Sequence, residues 1–146
     1  IREWKDYWEQ NHRVIGLPYK EIKVGHLWST PQVSDEAIKL IAAPIEPILN
    51  FTKSNDIEVA LVVMPSPAAV YGVSLEDEFQ VFTERHELIV SKLKEYFPEL
   101  NILDPNQYLS KVMMDRFLYL ADSDAHFNEV GTSAYYEYLL SHIDFR

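Results

Sequence analysis

Two residues with complementary chemistry lie close together near the end of the sequence: Asp124 and His126, within the segment 121–131. An imidazole that accepts a proton during a reaction needs a carboxylate, which fixes its tautomer and stabilises the imidazolium. A tight turn that carries both residues brings the two side chains together locally and lets them point into a cleft. The spacing therefore predicts an acid–base pair at positions 124 and 126.

Three other interpretations of this segment stay open. The two residues can form a hydrogen bond at the entry of a helix without any chemistry. Asp122 is a second carboxylate that can orient His126. Asp122, Asp124 and His126 also offer oxygen and nitrogen ligands to a metal ion, but the sequence has no second cluster to complete a coordination sphere. We therefore expect neither a metal nor a cofactor.

The residues that follow the pair predict how it is held. Asn128 is a typical N-cap for the last helix, which we place from about Asn128 to His142. Gly131 lies in the first turn of that helix and lets it approach its neighbour closely.

The other candidate residues carry weaker signals. His86 lies on the apolar face of a predicted helix and is expected to be a buried histidine with its hydrogen bonds satisfied. Ser29 lies in a loop and is not placed as a nucleophile. Ser66 follows a strand, but Pro67 removes a backbone N–H that a nucleophile elbow would direct at the substrate. Because the chain opens at Ile1 within a charged amphipathic stretch, we expect it to be a piece of a longer protein.

Apolar periodicity and breaker residues predict alternating strands and helices. The continuous apolar run Ile57 to Met64 is typical of a strand buried on both faces. The β-α-β-α order indicates a layered α/β fold. The predicted elements are a helix at Glu3 to Asn11, a strand or an extended segment at Glu21 to Trp28, a helix capped by Ser34 that Pro44 and Pro47 either kink or divide into two short helices near Ala43, the strand at Ile57 to Met64, an extended loop at Pro65 to Pro67, a helix from the cap Ser74 to about Phe97, a parallel strand at Leu100 to Leu103, a helix at Asn106 to Met113 and an extended segment at Phe117 to Leu120.

Length and composition exclude several classes of protein. The 146 residues predict a single domain over positions 1–146. A net charge of −10 argues against binding to nucleic acid or to anionic lipid, since both need clustered Lys and Arg. The sequence has no cysteine, which excludes disulfides and thiolate chemistry. No apolar run is long enough to predict a transmembrane segment.

The residues 124–131, Asp-Ala-His-Phe-Asn-Glu-Val-Gly, followed by a helix through Tyr135 to Leu140, resemble the final block of SGNH/GDSL-type hydrolases. The upstream order of elements, from Ser34 to Ile143, is also similar to that family. In most of the superfamily the acid lies three positions before the histidine. The two-residue spacing here is most similar to the branch that includes alginate O-acetyltransferase-like proteins.

The resemblance implies a flavodoxin-like three-layer fold, a sheet with helices on both faces, of which this chain is an incomplete domain. It implies a Ser-His-Asp triad that acts on a small ester or a polysaccharide, with His126 as general base and Asp124 as its orienting carboxylate. No Gly-Asp-Ser block is legible, so the serine is expected outside the chain. An exported or cell-envelope location is also implied.

Two alternatives to an enzyme remain. One is an SGNH-like binding or scaffold module without turnover. The other is an unrelated flavodoxin-like regulatory domain in which the Asp–His pair is coincidental. In every case the thin sheet predicts that the missing N-terminal part or a second chain covers its open edges.

Overall fold

The computed structural model describes residues 12–17, 20–25, 33–74, 80–120 and 126–144. These residues form six helices and four short strands. The elements are β1 (His12–Leu17), β2 (Lys20–Gly25), α1 (Asp35–Ala42), α2 (Ile45–Ser54), β3 (Ala60–Val62), α3 (Pro67–Ser74), α4 (Gln80–Tyr96), β4 (Asn101–Leu103), α5 (Asn106–Met113) and α6 (Glu129–His142). The described chain is mixed α/β and mostly helical.

The first two strands form an antiparallel hairpin in which Ile15 pairs with Ile22. The predicted extended segment at Glu21 to Trp28 is confirmed where it overlaps β2. Strand β1 was not predicted, because Gly16 lies within it and glycine is depleted in strands. The predicted helix at Glu3 to Asn11 lies outside the described residues.

The first helical unit has the predicted break. The Ser34 hydroxyl oxygen accepts a hydrogen bond from the Ala37 N–H at 3.2 Å, so Ser34 caps α1 as predicted. Two short helices then abut, because Pro44 and Pro47 have no N–H to donate to the carbonyls one turn earlier. Of the two predicted alternatives, a kink or two short helices near Ala43, the structure has the two helices.

Strands β3 and β4 pair in parallel, with Leu61 opposite Ile102. The second parallel strand is therefore confirmed. The expectation of a long strand buried on both faces is wrong: β3 spans three residues, all half-buried, and Ile57 and Met64 at the ends of the predicted strand are exposed. Among the described residues β3 pairs only with β4, so no described strand pairs with its other edge.

Helix α3 begins at Pro67, the last residue of the predicted extended loop, and covers residues 68–73, for which no element was predicted. The Ser66 hydroxyl oxygen accepts a hydrogen bond from the Ala69 N–H at 3.2 Å, and Pro67 takes the first helical position, where its missing N–H needs no acceptor. Ser74 is therefore the last residue of α3 rather than the cap of the next helix, so that prediction is wrong. Helix α4 is described from Gln80.

Two apolar clusters hold the described helices together. The first joins α3, α5, α6 and the segment 118–119, and it contains Val70, Tyr71, Leu109, Met113, Leu118, Tyr119 and Ala134. The second joins α1, α4 and β4, and it contains Ala42, Val90, Leu93 and Ile102. The predicted bounds of α5 are confirmed, and α6 begins one residue after its predicted cap.

Candidate functional site

His126 lies in a loop whose two ends are tied together by backbone hydrogen bonds. Tyr119 and Phe127 form an antiparallel bridge. The Leu120 N–H donates to the His126 carbonyl at 3.0 Å, and the Asn128 N–H donates to the Leu118 carbonyl at 2.9 Å. We call these paired residues, 117–120 and 126–128, the loop base. The His126 side chain is exposed, so a reactant can approach it.

Asn128 uses every polar atom of its side chain. Its Oδ1 accepts a hydrogen bond from the Gly131 N–H at 2.9 Å, which caps α6 as the sequence predicts. Its Nδ2 donates to the Phe117 carbonyl at 2.7 Å and to the Tyr119 carbonyl at 2.9 Å. The side chain therefore ties the start of α6 to the opposite strand of the loop base.

The start of α6 lies so close to the loop base that position 131 has to be a glycine. A Cβ at this position would collide with the Leu118 carbonyl oxygen and would lie 2.6 Å from Cδ1 of Phe127. Neither contact is sterically possible. The prediction that Gly131 permits close packing of the last helix is confirmed.

An aromatic layer supports the loop base from within. The Phe127 ring stacks on Tyr119 with ring centroids 5.4 Å apart and also contacts Tyr135 at 6.0 Å. Tyr119 in turn contacts Tyr71 of α3 at 6.2 Å. The Tyr119 hydroxyl is buried without a hydrogen-bond partner among the described residues, and burial raises the pKa of this phenol.

Several candidate residues fall outside the part of the chain that the structure describes. Asp124, the predicted carboxylate partner, and the alternative Asp122 lie in the segment 121–125. Ser29 lies in the segment 26–32. The pairing of Asp124 with His126 therefore stays a prediction.

Ser66 lies between a strand and a helix, which is the order found around a nucleophile elbow. Its hydroxyl oxygen, however, accepts the capping hydrogen bond of α3. Pro67 also removes the first N–H of that helix, which an oxyanion would need. These contacts identify Ser66 as a structural cap.

A second histidine–carboxylate pair is fully described. His86 of α4 is 7% exposed, and its Nε2 donates a hydrogen bond to Asp104 Oδ1 at 2.8 Å. The same oxygen accepts from the Asn106 N–H at 3.0 Å, and the Tyr138 hydroxyl donates to the Asp104 carbonyl at 2.9 Å. The pair thus connects α4, the end of β4, α5 and α6. The prediction that His86 is a buried histidine with a hydrogen-bond partner is confirmed.

Opposing effects act on the Asp104 carboxyl group. Partial burial raises its pKa, but the hydrogen bonds from His86 and the Asn106 N–H, together with the charges of His86 and Lys94, outweigh burial. The net effect holds the pKa of Asp104 below its ordinary value.

Sequence reasoning did not identify Asp104 as the partner of His86. The available signal was the position of Asp104 immediately after a parallel strand.

A shallow surface groove adjoins this second pair. It is lined by residues of α4 together with Asp104; the α4 residues are Glu87, Val90, Ser91, Lys94 and Glu95. The groove is open to solvent and carries charges of both signs. Its lining does not include His86 or His126.

The described residues also bear on metals and membranes. Within residues 33–74, 80–120 and 126–144, no three His, Asp or Glu side chains lie close enough together to hold a metal ion. Asp122 and Asp124 lie outside these ranges. None of the described helices combines the length and the apolar character needed to cross a bilayer.

The arrangement around His126 can support proton transfer at the protein surface. His126 is exposed, its carbonyl accepts a hydrogen bond from the Leu120 N–H, and the next residue is bridged to Tyr119. The pair at His86, by contrast, connects four elements, and its imidazole is buried. No protein-family model, curated protein or solved structure matches the chain significantly.

Proposed function

We propose that this chain is part of a serine esterase or O-acyltransferase in which His126 is the general base. Asp124 orients the imidazole, and a serine outside the chain is the nucleophile. The proposed substrate is an ester, with carbohydrate acetyl groups as the favoured class. The alternative is an SGNH-like binding or scaffold module without activity.

The observation that carries the proposal is the placement of His126. Its side chain is exposed, while its carbonyl accepts the Leu120 N–H and the neighbouring residue Phe127 is bridged to Tyr119. A general base must reach the proton that it removes and must keep a fixed orientation while it does so. The exposure of His126 meets the first requirement, and its held backbone supports the second by limiting where the ring can be placed.

Chain geometry supports Asp124 as the carboxylate. Two residues of backbone span at most about 7 Å, so the Asp124 backbone lies within that distance of His126. Leu120 and His126, which flank the segment 121–125 in the sequence, are hydrogen-bonded to each other. Asp122 is the other carboxylate of this segment.

The proposed reaction is acyl transfer through a covalent intermediate. The serine oxygen attacks the ester carbonyl carbon while His126 takes the hydroxyl proton. The tetrahedral intermediate expels the alcohol, which leaves with the proton from His126. Water or an acceptor hydroxyl then attacks the acyl-serine, again with His126 as base and acid.

The fold that we propose for the complete domain is the three-layer flavodoxin-like arrangement. The parallel pairing of β3 with β4 and the helices packed around β4 support it. The half-buried β3 and its unpaired edge call for a further strand from another part of the protein or from a second chain.

A serine-directed fluorophosphonate probe on the full-length protein tests the function. The probe should label one serine, and His126→Ala should slow the labelling by about 10²- to 10⁴-fold, the usual contribution of a general base. Asp124→Asn should slow it as well. His142→Ala is the matched control, because His142 is exposed at the opposite end of α6, where its ring stacks on Tyr138 at 4.1 Å.

Two results would contradict the enzyme. Labelling that is unaffected by His126→Ala would remove His126 as the base. A folded full-length protein without any labelled serine would favour the binding or scaffold module.

A further inference from the structure

We propose that Asn128 is the positioning residue of His126, and that it acts through the two hydrogen bonds donated by its side-chain amide. The inference rests on the proposed function, since it assigns a role in orienting the same base. Asn128 does not contact the reacting atoms. It holds the loop base in which His126 is placed.

Capping alone does not explain an asparagine at this position. The cap needs only an acceptor, and in α1 the Ser34 hydroxyl supplies it to the Ala37 N–H. In α6 the acceptor is Oδ1 of Asn128, which leaves the Nδ2 group for other partners. That group donates to two carbonyls, those of Phe117 and Tyr119. Serine, threonine and aspartate also make good caps, but none can donate these two hydrogen bonds.

The two carbonyls lie on the strand opposite His126. Phe117 and Tyr119 flank Leu118, whose carbonyl accepts the Asn128 N–H. One residue therefore makes three hydrogen bonds across the loop base, at 2.7, 2.9 and 2.9 Å. The only other backbone hydrogen bond described across the loop base is the one from Leu120 to His126.

Position 128 is two residues from His126, so its anchoring limits the backbone freedom of the base directly. Phe127, the residue between them, is held by the bridge and by the stack on Tyr119. The side chain of an active residue must be held to within a fraction of an ångström for efficient catalysis. Loss of the amide donors would loosen the loop base while α6 stays capped.

The test uses Asn128→Ser and Asn128→Asp in the full-length protein. Serine keeps the capping acceptor and loses both amide donors. Aspartate also caps, but it places a carboxylate against two carbonyl oxygens. Ser34→Ala is the matched control, because it removes the cap of α1 and leaves the loop base intact.

Hydrogen exchange of the Leu120 amide reports on the loop base. Two lost hydrogen bonds should raise this exchange rate by about tenfold in Asn128→Ser, and by more in Asn128→Asp. Ser34→Ala should raise exchange in α1 alone. An unchanged Leu120 rate in both Asn128 variants would overturn the proposal.

Labelling kinetics separate positioning from a purely structural role. Asn128→Ser should lower the maximal labelling rate by about tenfold and leave the probe concentration at half-saturation unchanged. A maximal rate equal to that of the unmodified protein, despite faster Leu120 exchange, would also overturn the positioning role. If His126→Ala leaves labelling intact, the proposed function fails by itself, whatever the exchange data show.

Discussion

Two histidines of the described residues, His86 and His126, occur in opposite environments. His86 is buried on α4 and meets Asp104, which lies 18 positions later in the sequence, at 2.8 Å. His126 is exposed and has its predicted carboxylate two positions away. In one region a histidine and an aspartate connect elements that are distant in the sequence. In the other region the same two residue types are close together in the sequence. Burial, rather than residue type, separates the structural pair from the candidate catalytic one.

The His86 pair has few groups left with which to act on a substrate. Asp104 Oδ1 already accepts from His86 and from the Asn106 N–H. The Asp104 carbonyl accepts from the Tyr138 hydroxyl. A charged group with this many partners stabilises the packing around it, and its removal leaves buried polar atoms without partners.

The largest effect that separates the two regions is expected from Asp104→Ala. It leaves the buried His86 imidazole without its acceptor, and the free energy of unfolding should fall by about 3 kcal/mol. His126→Ala, at an exposed position, should change it by less than about 0.5 kcal/mol. Urea unfolding followed by circular dichroism measures both. Equal losses in the two variants would show that the regions do not differ in the way that burial indicates.

The features predicted from sequence are those that depend on neighbours a few residues apart. The Ser34 and Asn128 caps, the need for Gly131 and the break near Ala43 follow from local hydrogen bonding and sterics, and all four are confirmed. Asn128 was predicted only as a cap. Its two amide hydrogen bonds reach 9 and 11 residues back and depend on the path of the chain between them.

The features that sequence reasoning missed depend on distant elements or on ambiguous residues. The partner of His86 depends on where β4 ends beside α4, which periodicity does not define. The Ser66-Pro67 pair was interpreted as a loop, although the same residues are a good helix start. Helix α3 was therefore not predicted. The burial of β3 was overestimated because an apolar strand does not reveal whether other elements cover it.

A smaller effect on the free energy of unfolding is expected when the pH is lowered. The pKa of Asp104 is held below its ordinary value of 3.8, so the folded state favours the carboxylate. This stabilisation is present above the ordinary value and is lost as the pH falls through the lowered one. The free energy of unfolding of the unmodified protein should therefore exceed that of Asp104→Asn near neutral pH, and the difference should shrink below about pH 4.

Urea titrations of the two proteins at a series of pH values measure this difference. Asparagine keeps an acceptor oxygen for His86 and for the Asn106 N–H, so the comparison isolates the charge of Asp104. A difference that stays constant down to pH 3 would show that the charge does not contribute.

The smallest expected change in stability tests whether the hydrogen-bond network around Asp104 extends into α6. Tyr138→Phe removes the hydroxyl that donates to the Asp104 carbonyl, and the free energy of unfolding should fall by about 1 kcal/mol. The aromatic contacts with Tyr108 and His142, at 5.7 and 4.1 Å, can remain. Tyr108→Phe is the matched control, because its hydroxyl meets Glu137 at the exposed surface and should contribute much less. Both variants should keep the labelling rate of the unmodified full-length protein, since neither residue belongs to the loop base. Equal losses of stability in the two variants would place the Tyr138 hydrogen bond among the surface contacts and confine the His86 network to α4, β4 and α5.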